Sequence, residues 1–375
     1  MKNTVAGLAS AEGKTYTHQV YDRVICDASK NPLYKREDNL DTIAAVQGGS
    51  ALAGVVPHLN NNGGPVVGVM EKFAEHMLQG TTIRDIGMHR FKIDHVLAAR
   101  EGITIDDVNS VSSHEQAMRQ CRKGLEAMGA NVDAVCRNDH QTPEIPHSQK
   151  MYFKVADHPG SLYDILDRFK SHHVSLLHIR SIPNGNDEYI FSTRIPDVMN
   201  QDYLRGLLSE VGGELLPIPD LIETNDSSDA GVTLNPTKSN NERLRLLGEQ
   251  EAIICDRKSA EEAGLDILKE SFAGENNYTT FSVITKYPNV APQAFKNLQK
   301  KKIIGLLSVP DELGKLCDSL GIIKDAGLSL SYLLSVQNKA KGSHFSVVLD
   351  NPEDPDELLM TESRVGEIGG RLVTL

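Results

Sequence analysis

The sequence predicts an α/β chain with one interrupted body and two ferredoxin-like βαββαβ units, and three observations predict it. Apolar runs and helical patterns alternate as βαβα up to about residue 140, two later stretches repeat one element order, and two polar linkers separate the blocks. Composition allows this. A chain of 375 residues with 39% hydrophobic content can bury several cores, and its length suggests roughly two to four domains. The formal net charge of −12 argues against nucleic acid or an anionic membrane as partner, and no run reaches the ~18 apolar residues of a membrane span. No basic-then-apolar leader is read at the N-terminus, so a cytoplasmic protein is expected. The five cysteines are scattered without a C-x-x-C pair, which indicates buried thiols rather than a disulfide framework or a metal site.

Taken in order, Val5–Leu8 reads as a strand, followed by a loop ending at Gly13-Lys14-Thr15 and a helix capped by Thr15 or Thr17. Free amides at that helix start, with Lys14 and His18 near, either seat an anion or make an ordinary connection. Thr42–Gln47 reads as a second strand leading into the small-residue loop Gly48–Val56. Glu71–Leu78 is a helix, and Phe91–Ala99 alternates as a strand whose start gathers Arg84, His89, Arg90 and Lys92. Val108–Ser113 is a strand, with Ser112 or Ser113 capping the next helix and Gln116 placed for a capping box. Asn131–Cys136 supplies a further strand, and a mostly parallel sheet is expected.

His140–Ser148 then reads as a linker, and the first compact unit follows. It runs strand 150–156, helix 161–172, strand 175–180, an Asn184-Gly185 turn, strand 188–193, helix 201–211 and strand 214–218. After a polar linker at 223–231, the body resumes with helix 240–247, strand 251–255 and helix 259–263. The loop Gly274–Asn277 then enters the alternating strand Thr279–Thr285, where the Thr279 and Thr280 hydroxyls either end a turn or meet a small polar ligand. The last unit, 302–375, repeats the first. Pro159–Leu162 parallels Pro310–Leu313, and Gly212–Leu215 parallels Gly369–Leu372, which argues for an internal duplication.

These residues resemble the prephenate dehydratase family, with ACT-type regulatory units. Gly13–Gln19 is similar to the family's G-T-(Y/F)-(S/T)-H-Q loop, Ile93–Leu97 to I-x-H-x-L, and Ser113–Cys121 to S-H-P-Q-A-L-x-Q-C. Ala263-Gly264-Leu265 answers Y-G-L, and Asn277–Phe281 answers N-x-T-R-F. The resemblance implies a two-lobed, periplasmic-binding-protein-like body over 1–145 and 232–295, a first ACT-like domain over 150–220 inserted in it, and a second over 300–375. No cofactor and no metal are expected. Thr279 stands at the catalytic threonine, and Thr15, Ser50, Ser113, His114, Gln116, Asn277, Thr280 and Phe281 at substrate-binding places. Asp157–Tyr163 looks like the D-x-P-G-A-L stretch and Arg180–Pro183 stands at E-S-R-P, so Pro159, Gly160, Ser161, Leu162, Arg180 and Ser181 are implied to bind phenylalanine as effector.

The pattern also departs from the family. Thr280 replaces its arginine, Gly49–Gly54 stands for E-N-S-x-x-G, or slides by one residue, losing the acid and the amide either way, and Ser239-Asn240-Asn241 stands for S-T-A. Three functions stay open. One is a dehydratase converting a prephenate-like anion to phenylpyruvate, with Lys14, Arg84 or Arg90 replacing the lost guanidinium; another is a retuned decarboxylase or lyase on a modified substrate; the third is a catalytically silent amino-acid sensor. A homodimer is expected, because the four-stranded sheets of the small units leave edges to cover.

Overall fold

The computed structural model describes residues 3–8, 15–80, 82–130, 145–158, 160–183, 188–216, 232–236, 244, 247–336, 342–350, 352 and 354–375. They form three sheets. The first contains β1 (Val5–Leu8), β2 (Leu33–Arg36), β3 (Ala53–Asn60), β5 (Arg84–Lys92) and β15 (Tyr278–Thr285) in the order β2-β1-β3-β15-β5, with β4 (Gly64–Pro65) on β3. The second contains β6 (His95–Ala99), β7 (Ser110–Ser113), β12 (Thr233–Pro236), β13 (Glu251–Asp256) and β14 (Asp266–Lys269) in the order β12-β7-β13-β6-β14. Both sheets are mixed rather than mostly parallel. β15 runs antiparallel to β3 and β5, and β6 antiparallel to β13 and β14, because the chain returns through each sheet after crossing from the other.

Several elements differ from the sequence expectation. Residues 42–47 are not a strand but part of α2 (Asn39–Gln47). The Asp38 side chain caps that helix by accepting from the Asp41 amide at 2.6 Å, and Thr42, Ile43, Ala45 and Val46 bury a helical face. The strand itself is β3, in the segment that reads as a loop of small residues. Phe91–Ala99 is not one strand, since β5 ends at Lys92 in the first sheet and β6 begins at His95 in the second. The crossing is pinned by the Ile93 amide donating to the Asn277 carbonyl at 2.9 Å. His114, not Ser112 or Ser113, caps α4 (Glu115–Gln120), so the capping box does not form. Helices α1 (Tyr16–Val24), α3 (Val67–Leu78), α5 (Arg122–Ala127) and the later α8 (Arg257–Glu262) complete the described body. The strand expected at Asn131–Cys136, the Asn184-Gly185 turn and Ser239-Asn240-Asn241 lie outside the described residues, as does nearly all of the helix expected at 240–247.

The third sheet carries two βαββαβ units side by side. The first is β8 (Ser148–Ala156), α6 (Ser161–Ser171), β9 (His178–Pro183), β10 (Glu188–Pro196), α7 (Gln201–Ser209) and β11 (Glu214–Leu216). The second is β16 (Lys302–Val309), α9 (Lys315–Asp325), β17 (Leu330–Val336), β18 (Ser343–Asp350), α10 (Pro355–Glu367) and β19 (Arg371–Thr374). The eight strands run β11-β8-β10-β9-β17-β18-β16-β19, so the units meet at β9 and β17. At that seam Arg180 pairs with Leu334, the Leu333 amide donates to Ser181 Oγ at 3.0 Å, and the Ile179 amide donates to Ser335 Oγ at 2.9 Å.

These contacts are related by a local two-fold axis. The same interval separates Gly160 from Gly314, Asp164 from Asp318, Lys170 from Lys324, Ile179 from Leu333 and Ser181 from Ser335. Gly160 and Gly314 both take left-handed φ values, 89° and 84°, at a helix start. The repeat is therefore Asp157-x-x-Gly160-x-Leu162 against Asp311-x-x-Gly314-x-Leu316. Pairing Pro159–Leu162 with Pro310–Leu313 is out by three residues.

One face of this sheet packs on its own helices, with Phe153, Phe169, Leu307, Leu320 and Val365 in one core. The other face meets the body through α3, where Met70 and Phe73 share a core with Ile304, Leu306, Tyr332 and Leu334. The second sheet takes β6 and β7 from before residues 148–216 and β12 to β14 from after them. Among the described residues, no helix is long and apolar enough to cross a membrane.

Candidate functional site

A buried polar cluster joins the end of β3, the start of β15 and α4. Asn60 and Asn277 are fully buried, and Thr279, His95 and Gln120 nearly so. The Asn60 side-chain oxygen accepts from the backbone amides of Asn62 at 2.9 Å and Gly63 at 2.6 Å, which turns its Nδ2 toward β15. That Nδ2 donates to Thr279 Oγ1 at 3.0 Å, to Asn277 Oδ1 at 2.8 Å and to the Tyr278 carbonyl at 3.0 Å. Asn277 Nδ2 in turn donates to the Ile93 carbonyl at 3.1 Å and to Gln120 Oε1 at 3.0 Å, and that oxygen also meets His95 Nε2 at 2.9 Å. Burial holds the His95 pKa below its ordinary value, against the opposing pull of the Gln120 bond and nearby carboxylates, which favours neutral imidazole. Since Thr279 Oγ1 accepts from Asn60, its own O–H is free to point elsewhere.

Strand alternation separates two of the expected site residues. Thr279 lies in register with Asn60 and Phe91, whereas Thr280 lies with Leu59 and Arg90 and therefore projects from the other face of the sheet. Phe281 is 2% exposed in the core against Phe91 and serves as floor. Thr15 caps α1, accepting from the His18 amide at 3.2 Å. Beside it, Tyr16 donates to the Asp94 carbonyl at 3.1 Å and meets His95 edge-on. Burial first, then the Asp256 and Asp94 carboxylates, pushes the Tyr16 phenol far above its ordinary value. Ser113 Oγ is buried and donates to the Ile254 carbonyl at 2.8 Å, and His114 Nδ1 accepts from the Gln116 amide at 3.2 Å.

Ser50 is not brought to this cluster. Its hydroxyl donates to the Ala45 carbonyl in the turn before β3, while Thr279 pairs with Asn60 at the far end of that strand. Eight residues at about 3.3 Å each put roughly 25 Å between the two places. The segment that fits E-N-S-x-x-G by position is Leu59-Asn60-Asn61-x-x-Gly64, and Asn60 is the residue that sequence reasoning missed. Its signal was the Asn-Asn-Asn-Gly-Gly turn closing an apolar strand. Of the three cations considered, Arg84 sits at the opposite end of β15 beside Thr285, Lys14 lies outside the described residues, and Arg90 stands across from Thr280 with its guanidinium 4.1 Å from the Tyr278 ring.

Two cavities flank these elements. One of about 420 Å³ lies between Asn62, the α4–α5 corner with Arg119, Arg122 and Lys123, and the loop at Asn276; Pro183 of β9 also reaches it. The other, of about 200 Å³, lies between the two small units and is lined by Gly160, Ser161, Leu162 and Ser181 together with Tyr189 and Tyr332. Arg180 is not among its lining. It points to the other face of β9, 1% exposed, where its charge acts on Glu71 of α3. Pro159 lies outside the described residues. Among the described residues, no group of three or more His, Cys, Asp or Glu side chains could hold a metal ion.

Comparison with known proteins gives these features a family context. Residues 12–142 match the family model described as Prephenate dehydratase. A bifunctional chorismate mutase/prephenate dehydratase from Pseudomonas aeruginosa is 29% identical over 122 residues, 32% of this chain and 32% of that protein, so the match spans about a third of the relative's length. Among solved structures, a prephenate dehydratase from Arthrobacter aurescens in complex with L-Phe aligns over 99% of this chain and 89% of its own, at 17% identity and a TM-score of 0.52. A prephenate dehydratase from Staphylococcus aureus aligns over 99% and 98%, at 12% identity and a TM-score of 0.50. At such identities the two structures establish a shared fold.

Proposed function

We propose that the chain is a prephenate dehydratase-type lyase, on the premise that residues 12–142 carry that family's sequence pattern. The observation that carries the reading is the Asn60–Thr279 hydrogen bond, which leaves the Thr279 O–H as a donor beside a buried amide cluster. In the reaction, the carbon–carbon bond to the ring carboxylate breaks and carbon dioxide leaves. The electron pair enters the ring, and the bond from the ring to its hydroxyl oxygen breaks. Thr279 stabilises that departing oxygen by hydrogen bonding and passes it a proton, which solvent restores; water leaves, and the product is phenylpyruvate. Asn60 and Asn277 orient Thr279, while Arg90, across from Thr280, lies on the face of β15 opposite the Thr279 hydroxyl and does not serve it. Incubation with prephenate is expected to give phenylpyruvate absorbance faster than the spontaneous reaction. Thr279→Val is expected to lower kcat about 100-fold, within the usual range for removing a positioned proton donor. No turnover above background by the wild-type chain rejects the reading.

A retuned lyase is the second reading, favoured by one observation. Leu59 and Thr280 face each other in register at the positions of the family's acid and arginine, so both charges are absent from one row. A non-aromatic decarboxylated product, detected by mass spectrometry of the same mixture, selects it.

The two βαββαβ units are read as an ACT-type pair that binds an aromatic amino acid, phenylalanine first, in the cavity beside Gly160. Its volume of about 200 Å³ suits a molecule smaller than the drug-sized ligands of typical pockets, which run to about 300–1,000 Å³. Because β9 and β17 cover one another within the chain, the sheet-edge argument for a homodimer no longer applies to those edges.

A further inference from the structure

We propose that the chain takes one aromatic amino acid effector, at the junction beside Gly160, and that the place related to it by the local two-fold axis is closed. This rests on the regulatory reading above and concerns its stoichiometry. An axis relating two units makes two equivalent junctions wherever the side chains are equivalent, and here they are not. The backbone frame is common to both: each helix starts on a left-handed glycine, and each start is crossed by a lysine of the other unit. A Cβ at Gly160 would come within 2.6 Å of Lys324, and one at Gly314 within 2.7 Å of Lys170.

The side chains differ in ways that open one junction and fill the other. At the first, Ser161 begins α6 with its own amide donating to the His158 carbonyl at 3.1 Å, and no side chain caps the helix start. Lys324 supplies a cation there, held by Asp164 at 3.1 Å and lying 4.6 Å from the Tyr163 ring. Tyr189 forms a wall, its hydroxyl donating to the Ser331 carbonyl at 3.3 Å. At the second, Lys315 stands in place of Ser161, with its ammonium 3.9 Å from Glu312. Ser343 stands in place of Tyr189 and donates its hydroxyl to Asp311 at 3.3 Å, whereas the Lys170–Asp318 bond at 2.5 Å is the counterpart of Lys324–Asp164 and is common to both junctions. Leu177 replaces Ser331, and His173, with φ 58°, replaces Gly327. The second junction thus carries a long cation at the helix start and lacks the tyrosine wall of the first.

Titration calorimetry of the full chain with phenylalanine is expected to give one equivalent per chain. Ser161→Lys and Tyr189→Ser, each importing the counterpart residue, are each expected to weaken binding at least tenfold, with circular dichroism and thermal midpoint showing that each variant folds. Lys315→Ser is expected to leave both stoichiometry and affinity unchanged. Two equivalents per chain, or loss of binding in Lys315→Ser with retention in Ser161→Lys, overturns the inference. Absence of heat from the wild-type chain with phenylalanine, tyrosine and tryptophan instead rejects the regulatory reading on which it rests.

Discussion

At the scale of single residues, the body is organised by amides that hold a hydroxyl and by one trio that holds a proton, with His58 and Ser282 fully buried and Asp85 half-buried. Ser282 Oγ lies 3.0 Å from His58 Nδ1 and donates to Asp85 at 3.2 Å, and the Asp85 carboxylate also accepts from the Gly87 amide at 2.8 Å. Burial pushes Asp85 up to about 7, against the Gly87, Ser282 and Lys300 contributions, and pushes His58 down to about 3, with Lys302 acting in the same direction. Between about pH 4 and 7 the folded chain keeps a proton on Asp85 that the unfolded chain has released, so this group makes stability fall as pH rises. Between about pH 3 and 6.5 the unfolded chain protonates a histidine that the fold keeps neutral, so His58 makes stability rise with pH. The two slopes oppose each other. Asp85→Asn is therefore expected to uncover the His58 slope, with a larger gain in unfolding free energy from pH 5 to 7 than the wild-type chain shows; equal pH profiles from denaturant titrations count against the assignment. Thr279 was legible as a candidate because a hydroxyl pair at a strand mouth has a motif around it. Asn60 was not, because its role depends on which strand lies beside β15, and that pairing is non-local.

At the scale of elements, α3 is the piece on which the body and the eight-stranded sheet both depend. Phe73 is fully buried between them, in one core with Leu306 and Tyr332. Phe73→Ala is expected to cost about 3–5 kcal/mol, read as a lower urea midpoint with an unchanged m-value. An unchanged midpoint excludes this role for the helix. The βαββαβ units could be read in advance because their strands alternate and their helices carry a clear 3.6-residue apolar face. Thr42–Gln47 could not, since its β-branched residues suit a strand until Asp38 is recognised as a cap. The break after Lys92 was equally hidden. Alternation continues through it, and only the bonds between Ile93 and Asn277 reveal that one half belongs to each sheet.

At the scale of the whole molecule, the meeting of β9 and β17 decides what kind of assembly this is. The duplication was visible in the sequence as repeated glycines, but the seam was not. It rests on one register pair and two serine hydroxyls that take the place of ladder acceptors, features with no periodic signature. Had these units come from separate chains, their junction would exist only above the dissociation constant of the pair, and any site within it would fade on dilution. Covalent connection turns that bimolecular step into an intramolecular one, with an effective local concentration set by the intervening chain rather than by the amount of protein. The phenylalanine dissociation constant is accordingly expected to stay the same from nanomolar to micromolar chain concentration, measured by fluorescence or microscale binding. A constant that weakens as the protein is diluted locates the site between chains. On the proposed regulatory reading, a sensor built this way reports the amino acid level and is blind to its own abundance.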